Sequence, residues 1–168
     1  LISDPVRGTI GKTEERRGME IQLSTYLSIN RILFTSSPTK GSVMDELIRV
    51  SREDGRVENA ELFKKALLKR ESIMSTGIGY GVAIPHVKLA MVPEFFITIL
   101  IHKKGVSWDS LDNKPVNIVL LIAGPENQQE KYLRILARLV YVIKKPDNRT
   151  KLLQCNTKYE VYRIFNSG

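Results

Sequence analysis

The 168-residue chain, with 42% hydrophobic and 26% charged residues, is long enough to bury the core of one domain and has an ordinary globular composition. No apolar run approaches the ~18 residues a membrane-crossing helix needs, and the single cysteine, Cys155, excludes an internal disulfide and any multi-cysteine metal site. The net charge of +8 raises nucleic acid as a partner, but lysines and arginines are scattered from Arg7 to Arg163 and nowhere interleave with aromatics, so a basic solvated surface is the expected reading.

Residues 1–18, LISDPVRGTIGKTEERRG, lack apolar periodicity. They read as a flexible N-terminal extension or the remnant of an upstream segment, with the domain proper over residues 19–168. The same stretch has no apolar block of the kind a signal peptide carries. A cytoplasmic protein that inserts in no membrane is therefore expected.

From Met19 onward the pattern becomes structured. A short helix is expected around Leu23 to Leu27 and an extended segment over Arg31 to Phe34. Ser42 opens a helical pattern with Val43, Leu47, Ile48 and Val50, ending near Gly55. Asn59 suits the N-cap of a second helix, with Glu61 in its first turn. That helix carries Leu62, Phe63, Ala66, Leu67 and Leu68 and ends near Glu71. The glycine-rich stretch Ser75 to Gly81 interrupts it, and Val82 to Ile84 read as a short buried strand. Two stronger strands, Phe95 to His102 and Pro115 to Ala123, are joined through a turn-rich, hairpin-like segment. A helix from about Asn127 to Ile143 is expected to bury Leu133, Leu136, Ala137, Val140 and Tyr141. Pro146 ends it and suits the first turn of another helix reaching Leu153. Thr157 caps a last helix carrying Val161, Ile164 and Phe165. Interspersed helices and strands predict an α/β layer structure in a single domain.

Chemistry concentrates between Arg70 and His86. Glycines at positions 77, 79 and 81 let the backbone turn sharply and approach a ligand. Backbone N–H groups in such a loop, with the Ser75 and Thr76 hydroxyls, can cradle an anion. Arg70 can reach the same anion with its fork of donors. Pro85 fixes the chain just before His86. An imidazole with a pKa of about 6.5 is largely neutral and nucleophilic at physiological pH. On spacing alone, a phosphate site and an ordinary turn both remain open, because the glycines match neither the dinucleotide fingerprint nor the P-loop.

The segment S-T-G-I-G-Y-G-V-A-I-P-H (Ser75 to His86) resembles the signature of the type-2 IIA domain of the bacterial phosphoenolpyruvate-dependent phosphotransferase system. The branch is the fructose/mannitol type, which includes the nitrogen-regulatory proteins. The likeness extends to LLKRE at Leu67 to Glu71, to G-V-S-W-D-S-L-D-N-K-P-V from Gly105, and to Y-L-R-I-L-A-R-L from Tyr132. The resemblance implies a mixed β-sheet with helices packed on both sides, and no cofactor or metal. It implies that His86 is phosphorylated by an HPr-like phosphocarrier protein and hands the group to a IIB domain or uses it as a regulatory signal. Arg70 would neutralise the transferring charge, and Glu71 would either orient Arg70 or the loop or be a solvated carboxylate at the helix end. Ser75, Thr76, Gly77 and Gly79 would bind phosphate or support the site. The chain shows neither a IIB pattern nor a membrane segment, which favours the regulatory, nitrogen-type role.

Several members of that family carry a second histidine where this chain has Tyr132. A tyrosine can donate a hydrogen bond but is a poor cation. The alternative reading is accordingly a binding module that keeps the fold and senses state through protein partners without transferring phosphate. Other polar and aromatic residues have simpler expectations. Trp108 and Tyr80 pack at turns, Cys155 is a small buried hydrophobe, and His102 plays no part in the chemistry. Asn113 occupies a turn position where the family often has glycine, which asparagine tolerates.

Overall fold

A computed structural model describes residues 21–167, so the expected extension over residues 1–18 lies outside the described residues. After two short 3-10 turns at Leu23–Thr25 and Ile29–Arg31, the order is β1 (Ile32–Thr35), α1 (Lys40–Glu53), α2 (Ala60–Ile73), β2 (Gly77–Gly79), β3 (Val82–Ala83), β4 (His86–Lys88), β5 (Phe96–Val106), β6 (Val116–Gly124), α3 (Gln129–Ile143), α4 (Pro146–Gln154) and α5 (Lys158–Asn166). The strands form one mixed sheet in the order β1-β5-β6-β3-β2, with β4 also pairing with β6. β5 and β6 are antiparallel, pairing Phe96 with Ala123 and Leu100 with Val119. β1 runs parallel to β5, and β3 and β4 run parallel to β6. The α/β expectation holds.

Both faces of the sheet are covered, which is why β5 and β6 read as nearly continuous apolar runs. Alternation along β5 divides the core. Ile97, Ile99 and Ile101 join Ile118, Leu120 and Ile122 beneath α3, α4 and α5, where Ile135, Leu139, Val142, Leu152, Val161 and Phe165 are buried. Phe96 and Leu100 face the other way with Val119 and Leu121, against Val43, Met44, Leu47, Phe63 and Leu67 of α1 and α2.

Several boundaries and faces differ from the sequence-based expectation. α1 begins at Lys40, because Thr39 caps it and Ser42 completes a reciprocal capping box three residues in. In α2 the cap is Asn59 as expected, but the buried stripe is Phe63, Leu67 and Glu71, while Leu62 is 55% exposed. α3 presents Tyr132, Ile135, Leu139, Val142 and Ile143 to the core. Leu133, Ala137 and Tyr141 face outward. Apolar residues wrap more than half of this helix, so periodicity alone left its rotation open by one position. The glycine-rich stretch is no open loop. It forms β2, which pairs antiparallel with β3 across an irregular register. Gly77 is required there, since a Cβ would lie 2.3 Å from the Ser110 Oγ. Tyr80, expected to pack, is 74% exposed at φ 59°, with the Arg149 guanidinium 4.9 Å from its ring centre. Asn113 adopts φ 57°, the left-handed conformation expected of it.

Candidate functional site

His86 opens β4 immediately after Pro85, whose carbonyl accepts from the N–H of Ile122 in β6. The ring is thus carried by backbone paired into the sheet. Its Nδ1 lies 3.0 Å from the carbonyl oxygen of Ile84, which can only accept, so Nδ1 bears the proton. Its Nε2 accepts a 3.1 Å hydrogen bond from the Nε–H of Arg70. The two partners together select one tautomer and leave the Nε2 lone pair as the nucleophilic position.

Arg70 reaches the ring because of the phase of α2. Leu67 and Glu71 point inward, which sets Arg70 at the rim of the same helix end. Its Nη1 donates to the Met74 carbonyl at 3.0 Å, holding the guanidinium in place. Glu71 is 8% exposed and does not contact Arg70 through a hydrogen bond. Its carboxylate accepts from the Thr76 backbone N–H at 2.9 Å and the Thr76 hydroxyl at 2.6 Å, and pairs with Lys40 at 2.7 Å. Its partners lie in the loop at Thr76 rather than on Arg70, and it is buried, not a solvated carboxylate at the helix end. Trp108, almost fully buried, donates its indole N–H to the Thr76 Oγ1 at 3.3 Å. Ser75 donates to the Trp108 carbonyl at 2.9 Å and accepts from the Gly77 N–H at 3.2 Å.

Ser75 and Thr76 therefore spend their hydroxyls on tying the approach of the chain to the rest of the fold. Gly77 sits against Ser110 and Gly79 against Asp112. These four residues shape the hairpin beside the histidine, and no hydrogen bond joins them to its ring. Tyr132 does meet it: the ring centroids are 5.5 Å apart. Residues whose place beside the histidine sequence reasoning did not foresee complete the surroundings. Lys40 and Trp108 join the Glu71 network from distant segments, and no local signal marks them. Lys88 stands two positions after His86 on the same strand, and that spacing was available as a signal. His102 is buried, with its Nε2 2.8 Å from the Ser37 carbonyl and its Nδ1 accepting from the Gly105 N–H at 3.0 Å. Its partners are those of a structural residue. Cys155 is buried, and burial pushes its thiol pKa up, as suits a small hydrophobe.

Burial holds the His86 pKa below its ordinary value of 6.5; the Ile84 carbonyl opposes this, and Arg70 and Lys88 reinforce it. Because the folded pKa is depressed, the unfolded chain takes up a proton first on acidification. The group's contribution to stability is complete above about pH 6.5 and declines as pH falls from there toward the folded value. In an NMR titration the His86 ring should show a midpoint below 6.5. A midpoint at or above it would contradict the geometry just described.

This fold and its histidine place the protein among the IIA domains of phosphotransferase systems. The crystal structure of the nitrogen regulatory protein IIA-Ntr from Neisseria meningitidis matches with a TM-score of 0.79 at 26% identity, covering 84% of this chain and 97% of that one. The family model for "Phosphoenolpyruvate-dependent sugar phosphotransferase system, EIIA 2" matches residues 25–168, and the chain belongs to that family. It is 36% identical over 130 residues to the fructose-specific EIIABC component of Bacillus subtilis, covering 77% of this chain but spanning only 20% of that protein. It is 31% identical over 143 residues to the fructose-specific EIIA component of Haloferax volcanii, covering 84% of this chain and 93% of that relative. Among the described residues, no helix is long and apolar enough to cross a membrane, and no group of three or more His, Cys, Asp and Glu is arranged to hold a metal.

Proposed function

We propose that the domain is a cytoplasmic phosphohistidine carrier in which the Nε2 of His86 is the phosphoryl acceptor and an HPr-like phosphocarrier protein the donor. The observation that carries this reading is the pair of hydrogen bonds on the ring: Nδ1–H to Ile84 and an unprotonated Nε2 accepting from Arg70. In the transfer, the Nε2 lone pair forms a bond to phosphorus as the nitrogen–phosphorus bond of the donor's phosphohistidine breaks. The departing electron pair returns to the donor imidazole, and the Nδ1 proton stays on Nδ1, hydrogen-bonded to the Ile84 carbonyl. Such a reaction needs in-line positioning and charge stabilisation more than covalent assistance. Arg70 turns from the lone pair to the phosphoryl oxygens and offsets part of their charge. Onward transfer goes to a IIB domain or, in a nitrogen-type regulatory role, the phosphorylation state is read by a regulatory protein. The likeness to IIA-Ntr supports the regulatory choice, and the fructose-specific relatives keep the IIB route in view.

The test is to incubate the protein with phosphoenolpyruvate, enzyme I and the carrier, then locate the modification by mass spectrometry under base-stable conditions. The expected result is an acid-labile phosphoryl group on His86 and none on His102. Modification elsewhere would overturn the assignment. The second reading, a module that senses state through partners without transferring phosphate, draws on the neutral Tyr132 ring beside the histidine. It would be favoured if a partner's binding depended on His86 while no label appeared.

A further inference from the structure

The geometry points to Lys88 as a second cation for the phosphoryl group, acting alongside Arg70; this rests on the carrier reading above. A phosphoryl group on a protein side chain carries close to two negative charges at neutral pH, and Arg70 is the only cation among the described residues hydrogen-bonded to the imidazole. On β4 the intervening Val87 turns toward the α1 and α2 side of the sheet. His86 and Lys88, at alternate positions of the strand, share the opposite side. That side faces the start of α3. The Lys88 ammonium lies 4.7 Å from the centre of the Tyr132 ring, the same ring that stands 5.5 Å from His86. It also donates to the Gln129 side-chain oxygen.

Charge accounting points the same way. Among the described residues, neither Arg70 nor Lys88 has a carboxylate within ion-pair distance, and Glu71, the nearby acid, is engaged by Lys40. The groups facing His86 are thus two unneutralised cations, one neutral phenol and one carboxylate already paired. Two cations beside an uncharged imidazole repel one another and oppose its protonation. Arrival of a dianion satisfies both. Tyr132 brings no charge, but its ring face holds the ammonium by cation–π attraction, and the flexible lysine stem lets Nζ leave the neutral Gln129 for a phosphoryl oxygen.

The experiment uses the full chain, the phosphorylated carrier, and phosphoramidate as a small donor with the same kind of nitrogen–phosphorus bond. Rates of His86 phosphorylation are measured for wild type, Lys88→Met and Lys88→Arg. Lys88→Met should be about 10- to 100-fold slower with both donors, the scale expected for loss of one preorganised charge-stabilising group. Lys88→Arg should stay within about threefold of wild type, because it keeps the charge on a similar stem. The His86 titration midpoint should rise in Lys88→Met and stay low in Lys88→Arg, a readout that mere packing would not move. A Lys88→Met protein phosphorylated at the wild-type rate would overturn the role of Lys88 and leave the carrier reading standing. So would a Lys88→Arg protein as slow as Lys88→Met. A wild type that neither donor phosphorylates would overturn the carrier reading, and this inference with it.

Discussion

Replacing Arg70 with methionine should slow phosphoryl acceptance by His86 about 10²- to 10³-fold, the range seen when one preorganised donor is removed from a developing anion. Unfolding should change little, because Arg70 is half-buried and its hydrogen bonds go to His86 and to a carbonyl at the helix end. The guanidinium has two tasks in sequence. Before transfer its Nε–H marks the reactive nitrogen; during transfer its planar fork offers parallel donors to phosphoryl oxygens. Lysine reproduces the charge but not the fork, so Arg70→Lys should fall between methionine and wild type. Rapid-mixing measurements with excess phosphorylated carrier separate the effect on the step itself from any effect on carrier binding. An Arg70→Met protein labelled within a factor of about two of wild type would exclude the guanidinium from the transfer.

Glu71→Leu should cost about 3 kcal/mol of unfolding free energy, read from urea unfolding at neutral pH. The carboxylate satisfies the Thr76 backbone N–H, the Thr76 hydroxyl and the Lys40 ammonium at once. Removing it strands the buried Thr76 donors and leaves the half-buried Lys40 ammonium without its counter-charge, which is costlier than losing the bonds themselves. Glu71→Gln keeps an acceptor oxygen and should lose less. The pH dependence has a definite sign. Burial alone would raise the Glu71 pKa, but the hydrogen bonds and charge of Lys40 and Thr76 outweigh it, and the carboxyl sits below its ordinary 4.5. A depressed folded value means that the stabilisation is fully present above about pH 4.5 and is lost as pH falls below it through the folded value. Glu71→Gln should flatten that part of the stability profile. If Glu71→Leu unfolded at the wild-type urea concentration, the network would be incidental to the fold.

That Arg70 comes within reach of His86 was legible in the sequence because the signals are local: a proline before the histidine, glycines before that, and an arginine at the end of a capped helix. The sheet was legible in outline for the same reason, since β5 and β6 announce themselves as apolar runs. The rotation of α3 was not. With apolar residues on most of its surface, only the shape of the sheet selects Ile135 and Leu139 over Leu133 and Ala137. That one-position shift also explains why Tyr132 is at once a core residue and a wall of the site. The pairing of the glycine stretch was not legible for a different reason. Its residues do allow close approach, and the neighbours that come close are the side chains of Ser110 and Asp112. Lys40 and Trp108 were out of reach altogether, because they come from 31 residues before and 37 after Glu71, and nothing in the intervening sequence says they meet.

The chain contains one tryptophan, and its indole N–H is bonded to the same threonine oxygen that Glu71 grips. The lysine paired with Glu71 also lies 5.2 Å from the centre of the indole ring. Tryptophan emission responds to both dryness and nearby charge, so the native protein carries an optical reporter wired into the backing of its histidine. Its fluorescence should follow any rearrangement of that backing in real time, without a label and without a second indole to obscure the signal.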